Sequence, residues 1–382
     1  MNDNLININA LSEISKIIEH DATSSTYKYV LLRSIIIACE KYEHLIVPDN
    51  NKVNIPIGLI VDQWIIDYMV FVFNDIAQQN NRMVLDNPIQ LAYDAIFTEL
   101  NLIDRSDWMY SYNQFKKEYR NPNKSPQLSS LFLTLSKLIA KKLVDMPMKH
   151  LGKKDNYYTI CEPHITSFGK VTISNEDTFD LNLLVDKFNY FSIKMDHFYI
   201  FRYMGQSLFG TSTIISKWKN KTSYLNKDQS IPIDIIDHLT SDCLENRDTT
   251  IVRNIIKDDK CTCVWSNKNL SIKGLDIDHV LPFSIWLNND LWNLLPSDRT
   301  INQQTKKDYI PSRLQIMKSS ESIMSYWSLY SARYPNLFMS QLKSSLLGNY
   351  SNDANVFDKA IESLCKKSDY LINDRGHQPF CL

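Results

Sequence analysis

The sequence predicts a mainly α-helical protein with one small α+β unit near its C-terminal end. Three observations carry that expectation. Only eight glycines occur in 382 residues, which leaves little room for a sheet-rich fold with many tight turns. Apolar residues recur at helical spacing, as in Tyr27, Val30, Leu31, Ile35 and Ala38. A short β-branched run, Leu275 to Pro282, interrupts that pattern and carries Asp276, Asp278 and His279.

In chain order, residues 5–20 and 26–43 read as helices separated by Asp21 to Ser25, which offers N-caps for the second. Val47 to Pro56, with Pro48, Asp49, Asn50 and Pro56, reads as a loop. Ile57 to Ala77 is apolar nearly all round and reads as a central buried helix. Residues 88–101 and 125–144 are helical in pattern, and Tyr157 to Ser174 reads as a short strand pair around His164 and Gly169. Helix returns over 178–219, and Asp228 to Pro232 reads as a boundary. A helix over 233–256 then leads to a strand and turn at Cys261 to Asn269. The last helices fall at 318–346 and 355–370.

A hydrophobic share of 44% supports real cores, and 382 residues allow two or three domains. Net charge is −1, so any nucleic-acid binding must come from local patches. Seven scattered cysteines, an odd number, argue for a reducing cytosol over a disulfide scaffold, hence a cytoplasmic protein. Met1-Asn2-Asp3-Asn4 offers no basic, apolar leader, and Asp62 and Asp67 interrupt the longest apolar run, so no membrane association is expected. The Asn, Lys, Ile and Tyr bias suggests an AT-rich bacterial genome. No Walker A pattern and no familiar DNA-recognition signature occurs.

The chemistry gathers around His279. An Asp-His pair ends the β-branched strand, Asn293 follows in Trp292 to Pro296, and Asn302 lies in the helix-compatible stretch Ser297 to Asp308. Imidazole takes a proton from water near neutral pH. Carboxylate and amide oxygens suit a hard cation such as Mg2+, which polarises a phosphate and stabilises a leaving oxygen.

At these residues, over Cys261 to Arg313, the chain resembles the HNH endonuclease family, whose fold is the ββα-metal unit. The order Asp, His, Asn, Asn most resembles the HNH domains of CRISPR effector nucleases. The resemblance implies that Asp278 and Asn302 bind Mg2+ or Mn2+, that His279 is the general base, and that Asn293 braces the loop behind it. It also implies 5′-phosphate and 3′-hydroxyl ends, with activity rising with pH through the ordinary His pKa and no flat profile between about 5.5 and 8. Many relatives carry paired Cys-x-x-Cys zinc motifs here. This chain has only Cys261-Thr262-Cys263, so structural zinc is not expected.

Asp276 faces the same side of the strand as Asp278, as a supporting ligand or a loop contact. Lys306, one turn beyond Asn302, is a candidate for the scissile phosphate or a solvated lysine, and Arg299 for a flanking phosphate. Ser297 or Asp298 can cap that helix. DNA contacts are expected from a run with ten basic residues and two acids, Lys116 to Lys154, which includes Lys117, Arg120, Lys141 and Lys142. A second patch, Lys217, Trp218, Lys219 and Lys221, mixes charge with an aromatic ring that can stack.

The chain is thus expected to divide into a helical sensing, DNA- or partner-binding region at 1–240, an HNH domain at 241–315 and C-terminal helices at 316–382 packing on it. The function expected is metal-dependent DNA cleavage in restriction or anti-phage defence, with other defence proteins as partners. The alternatives are a partner-binding subunit whose nuclease another protein gates, and a homing or phage-encoded nuclease.

Overall fold

The computed structural model describes residues 7–21, 23–102, 104–152, 156–164, 167–174, 178–209, 214–227, 247–257, 261–271, 273–348 and 355–382. It is mainly α, as the sequence predicts. Two compact units emerge, Met1–Leu244 and Glu245–Leu382. Among the described residues, no helix is long and apolar enough to cross a membrane.

The first unit is built around α3 (Ile57–Phe73), in which every residue but Gln63 is buried. Packed around it are α2 (Tyr27–Lys41), α4 (Asn87–Glu99), α5 (Trp108–Arg120), α6 (Pro126–Leu143) and α7 (Leu181–Lys187), while α1 (Ile8–His20) lies against α8 (Met195–Phe209) and α9 (Ile214–Leu225) against α2. Gly58 lets α3 approach α7 closely: a Cβ there would lie 2.3 Å from the Leu184 carbonyl. The two acids that break the apolar run are buried and paired. Arg120 grips Asp62 with two bonds, 2.6 and 2.8 Å, and Tyr119 Oη adds a third. Asp67 meets Arg33 at 3.0 Å. Charges this deep persist only when paired.

Val47 to Pro56 is a hairpin, not a loop: β1 (Val47–Asp49) pairs with β2 (Lys52–Pro56). Asn50 adopts φ 52°, a left-handed turn position that Asn tolerates, and Val53 and Ile55 alternate inward. The helix expected over 178–219 is interrupted by β4 (Tyr190–Lys194). Asn189 at φ 57° ends the preceding segment, and Phe191 and Ile193 enter the core. The strand pair expected at 157–174 reduces to β3 (Glu162–His164), which pairs with β4; the sheet order is β1-β2-β4-β3. The boundary expected at Asp228 to Pro232 lies outside the described residues, as does most of the helix expected over 233–256, of which α10 (Thr250–Ile256) is seen.

In the second unit, β5 (Leu275–His279) pairs antiparallel with β6 (Leu294–Asp298). The loop between them holds the short α11 (Phe283–Trp286), and a π-helical turn, Ile301–Lys306, follows β6. Cys261 to Asn269 has the expected turn, at 264–266, but the expected strand reduces to a single bridge, Thr262 to Asn269. Helices α12 (Arg313–Lys318), α13 (Ser320–Arg333), α14 (Pro335–Leu342) and α15 (Val356–Asp369) complete the unit, with Pro335 splitting the helix expected over 318–346. Helix α13 is fastened to the hairpin: Trp327 Nε1 donates to Trp292 O at 2.9 Å and Tyr330 Oη to Leu294 O at 3.0 Å. A parallel pair, β7 (Ile310–Pro311) with β8 (Pro379–Phe380), ties down the C-terminal end.

Candidate active site

Strand β5 delivers three of the expected side chains. Asp276, Asp278 and His279 oppose Ser297, Leu295 and Leu294 of β6. Ile277 points the other way into the core, as alternation requires. Asp298 Oδ1 then accepts from the Thr300 and Ile301 amides and caps the helical turn that carries Asn302 and Lys306.

Asn293 clasps the loop after His279. Its Oδ1 accepts from Leu281 N at 2.8 Å, and its Nδ2 donates to Leu281 O and Asn288 O, both at 3.1 Å. The side chain is fully buried, so these bonds compete with no water. Trp286 and Trp292 are buried and pack the same loop.

Asp278 is sealed at 2% exposure. Trp265 Nε1 donates to its Oδ2 at 2.7 Å and Lys306 Nζ to its Oδ1 at 3.0 Å. Lys306 Nζ also donates to the His279 carbonyl at 2.8 Å and has no exposed surface. This corrects the expectation of a phosphate contact or a solvated lysine. The side chain turns inward because a buried carboxylate needs a counter-charge. Burial pushes the Asp278 pKa up and the Lys306 pKa down, and the attraction between them opposes both shifts.

Asn302 joins Asp276, not Asp278. Its Nδ2 donates to Asp276 Oδ2 at 2.9 Å, and Gln303 Nε2 adds a bond at 3.1 Å. Arg253 reaches Asp276 Oδ1 at 3.3 Å. Asp276 is the more exposed of the two carboxylates. The donor types, carboxylate and amide oxygens, fit a hard divalent cation; Asn302 is in contact with Asp276, while Lys306 and Trp265 engage both oxygens of Asp278. Among the described residues no three His, Cys, Asp or Glu side chains converge, and a cation held by few protein ligands and several waters is what Mg2+ accepts.

His279 is 1% exposed. Burial lowers its pKa to about 4; the Asn289 bond opposes that shift, while Arg247 and Lys306 reinforce it. Its Nε2 meets Asn289 Oδ1 at 3.1 Å, and Arg247 Nη2 meets its Nδ1 at 3.2 Å. Burial thus favours the neutral ring below the ordinary His range, in contrast to the ordinary His pKa that the sequence suggests.

Trp265, Asn289, Gln303 and Arg247 escaped the sequence reading. Asn289 had a faint signal in the polar triplet Asn288-Asn289-Asp290. Arg247 is 32 residues from His279 and had none. Cys261 and Cys263 are buried, Cys261 Sγ beside Ile256 O and Cys263 Sγ beside Ser297 Oγ.

The basic patches divide. Arg120 is committed to Asp62, and Lys142 pairs with Asp86 at 2.6 Å. Trp218 is fully buried and donates to Gln78 Oε1, so it stacks in the core and not on a base. Lys217 Nζ caps Glu19 O, while Lys221 lies over the Tyr224 ring. Lys117, Lys141 and Arg299 are exposed, and Lys116 and Lys219 partly so.

Two family matches accord with this division. Residues 263–312 match the family described as HNH endonuclease, and they hold β5, the clasped loop, β6 and the helical turn. The second unit therefore contains an HNH nuclease domain. Residues 7–239 match the domain of unknown function DUF8808; that is more than half of the 382 residues, and the chain belongs to this family. No curated protein and no solved structure matches significantly.

Proposed function

We propose that this chain is a metal-dependent endonuclease that hydrolyses DNA phosphodiester bonds as a bacterial anti-phage defence or restriction effector. The observation that carries the reading is the buried His279 on the HNH hairpin, with Asp278 beside it on the strand and Asn293 clasping its loop. His279 accepts the proton of an attacking water. Asn293 holds the loop behind the ring, and Lys306 balances the charge of Asp278. Asp278 and Asn302, supported by Asp276, would hold a divalent ion, Mg2+ or Mn2+, whose chemistry when bound is to polarise the phosphate and stabilise the leaving oxygen. Lys117, Lys141 and Arg299 are exposed cations of the kind that track a phosphate backbone.

One observation favours a gated enzyme. His279 and Asp278 are both sealed from solvent, so a water and a phosphate reach them only after a local opening. In this reading 1–240 senses DNA or a partner protein, 241–315 cuts, and 316–382 supports the nuclease. A DNA duplex labelled at either end, cleaved with Mg2+, tests the chemistry. Fragments with 5′-phosphate and 3′-hydroxyl ends are expected. Cleavage of an RNA of the same sequence but not of the duplex would overturn the DNA assignment.

A further inference from the structure

The two nitrogens of His279 are not equivalent, and their neighbours identify which one carries the proton. Arg247 Nη2 lies 3.2 Å from Nδ1. A guanidinium donates and never accepts, so Nδ1 must present a lone pair. On the other side, Nε2 lies 3.1 Å from Asn289 Oδ1. An amide side chain can be turned end for end, but here a backbone group fixes it. Asp248 N, a pure donor, meets the same Asn289 Oδ1 at 3.1 Å, so the oxygen is the atom facing His279. An oxygen acceptor requires a proton on Nε2. Two independent donors therefore agree on one tautomer.

We infer that Asn289 is a positioning residue for the reaction, fixing His279 as its Nε2–H tautomer so that Nδ1 is the atom that takes the proton from water. This rests on the nuclease reading above and adds the atom and the residue that sets it. The step balances. Nδ1 takes one proton from the attacking water, and the ring becomes imidazolium with its Nε2–H still on Asn289. The water oxygen bonds to phosphorus while the P–O3′ bond breaks with its electron pair on O3′, which takes a proton from solvent. The imidazolium then returns its proton to solvent. Asn289 stabilises the imidazolium too, because a charged Nε2–H is the stronger donor. Arg247 stands where the water must enter and has to release Nδ1 first. Asp248 and Arg247 are consecutive, so one short segment grips both the positioning amide and the accepting nitrogen.

The test uses the full chain labelled with 15N-histidine. One resonance set among the eight histidines is assigned to His279 by its absence from His279→Gln. Long-range 1H–15N correlations should place the His279 proton on Nε2 in the wild type. Asn289→Leu should lose the hydrogen-bonded Nε2–H signal and lower kcat on plasmid DNA by about 10- to 100-fold, the usual cost of removing an orienting partner, with unchanged Kd for DNA. Asn289→Asp keeps an acceptor oxygen and should retain the tautomer and most of the rate. A proton on Nδ1 in the wild type, or an Asn289→Leu enzyme as fast as wild type, would overturn the inference. Should Asn289→Leu not fold, Asn289→Asp decides, and its loss of the Nε2–H tautomer would be the contrary result. A wild type that cuts no DNA would overturn the nuclease reading and with it the catalytic role of Asn289, whereas a wild type that cuts DNA with the His279 proton on Nδ1 would overturn this inference alone.

Discussion

Lys306 Nζ lies 3.0 Å from Asp278 Oδ1, and neither side chain has more than 2% of its surface exposed. The chain thus keeps a cation of its own inside the HNH hairpin. The ammonium also takes the carbonyl of His279, so it ties the acid, the imidazole's backbone and the helical turn into one unit.

Removing that cation strands a buried carboxylate. Lys306→Met is expected to lower unfolding stability at neutral pH by about 3–5 kcal/mol, the range for breaking a buried pair on one side. Lys306→Met combined with Asp278→Asn should recover much of the loss, because no charge is then left unpaired. Denaturant titration reads both. A loss below about 1 kcal/mol in the single variant would mean that the pair is exposed in solution.

The His279 shift sets a pH window for stability. Its folded pKa, about 4, lies below the unfolded value of about 6.5, so the unfolded chain binds more protons between those pH values. Stability from this residue is fully present above pH about 6.5 and is lost as pH falls toward about 4, by up to about 3 kcal/mol. His279→Gln should flatten that segment of the stability–pH curve. Parallel curves for the two proteins would contradict the burial of the ring.

Activity has a different pH signature. With His279 already neutral at pH 5.5, kcat/KM should stay level between about 5.5 and 8 as far as this base is concerned, and fall only nearer the shifted pKa of about 4. A limb centred near 6.5 would show that the ring is solvated before substrate arrives.

Trp218 and Lys117 separate core from surface within the two basic patches. Trp218→Ala empties a fully buried site and should cost about 3–5 kcal/mol of stability. Lys117→Glu and Lys141→Glu should leave thermal unfolding nearly unchanged while weakening DNA binding and flattening its salt dependence. Fluorescence anisotropy over a salt series measures this. An unchanged salt slope would remove α5 and α6 from the DNA path.

The readable parts of this chain are the local ones. Asp278, His279, Asn293 and Asn302 fall within 25 residues on one hairpin and turn, so their order along the chain carries their geometry. The buried α3 was legible because all its faces are apolar. Hidden instead were features decided at a distance. Strand β4 has too few residues to announce itself, and its edges are supplied by β2 and β3 from elsewhere in the chain. Lys306 and Arg120 read as surface cations because nothing nearby in sequence names their partners, Asp278 and Asp62. Arg247 reaches His279 across 32 residues for the same reason.

The most direct measurement is conversion of supercoiled plasmid by the purified full chain with Mg2+, beside His279→Ala under identical conditions. The wild type should yield nicked or linear DNA, and the variant should lose at least about 100-fold in rate, as for removal of a general base. Equal cleavage by both proteins would contradict His279 as the base and the hairpin as the catalytic centre.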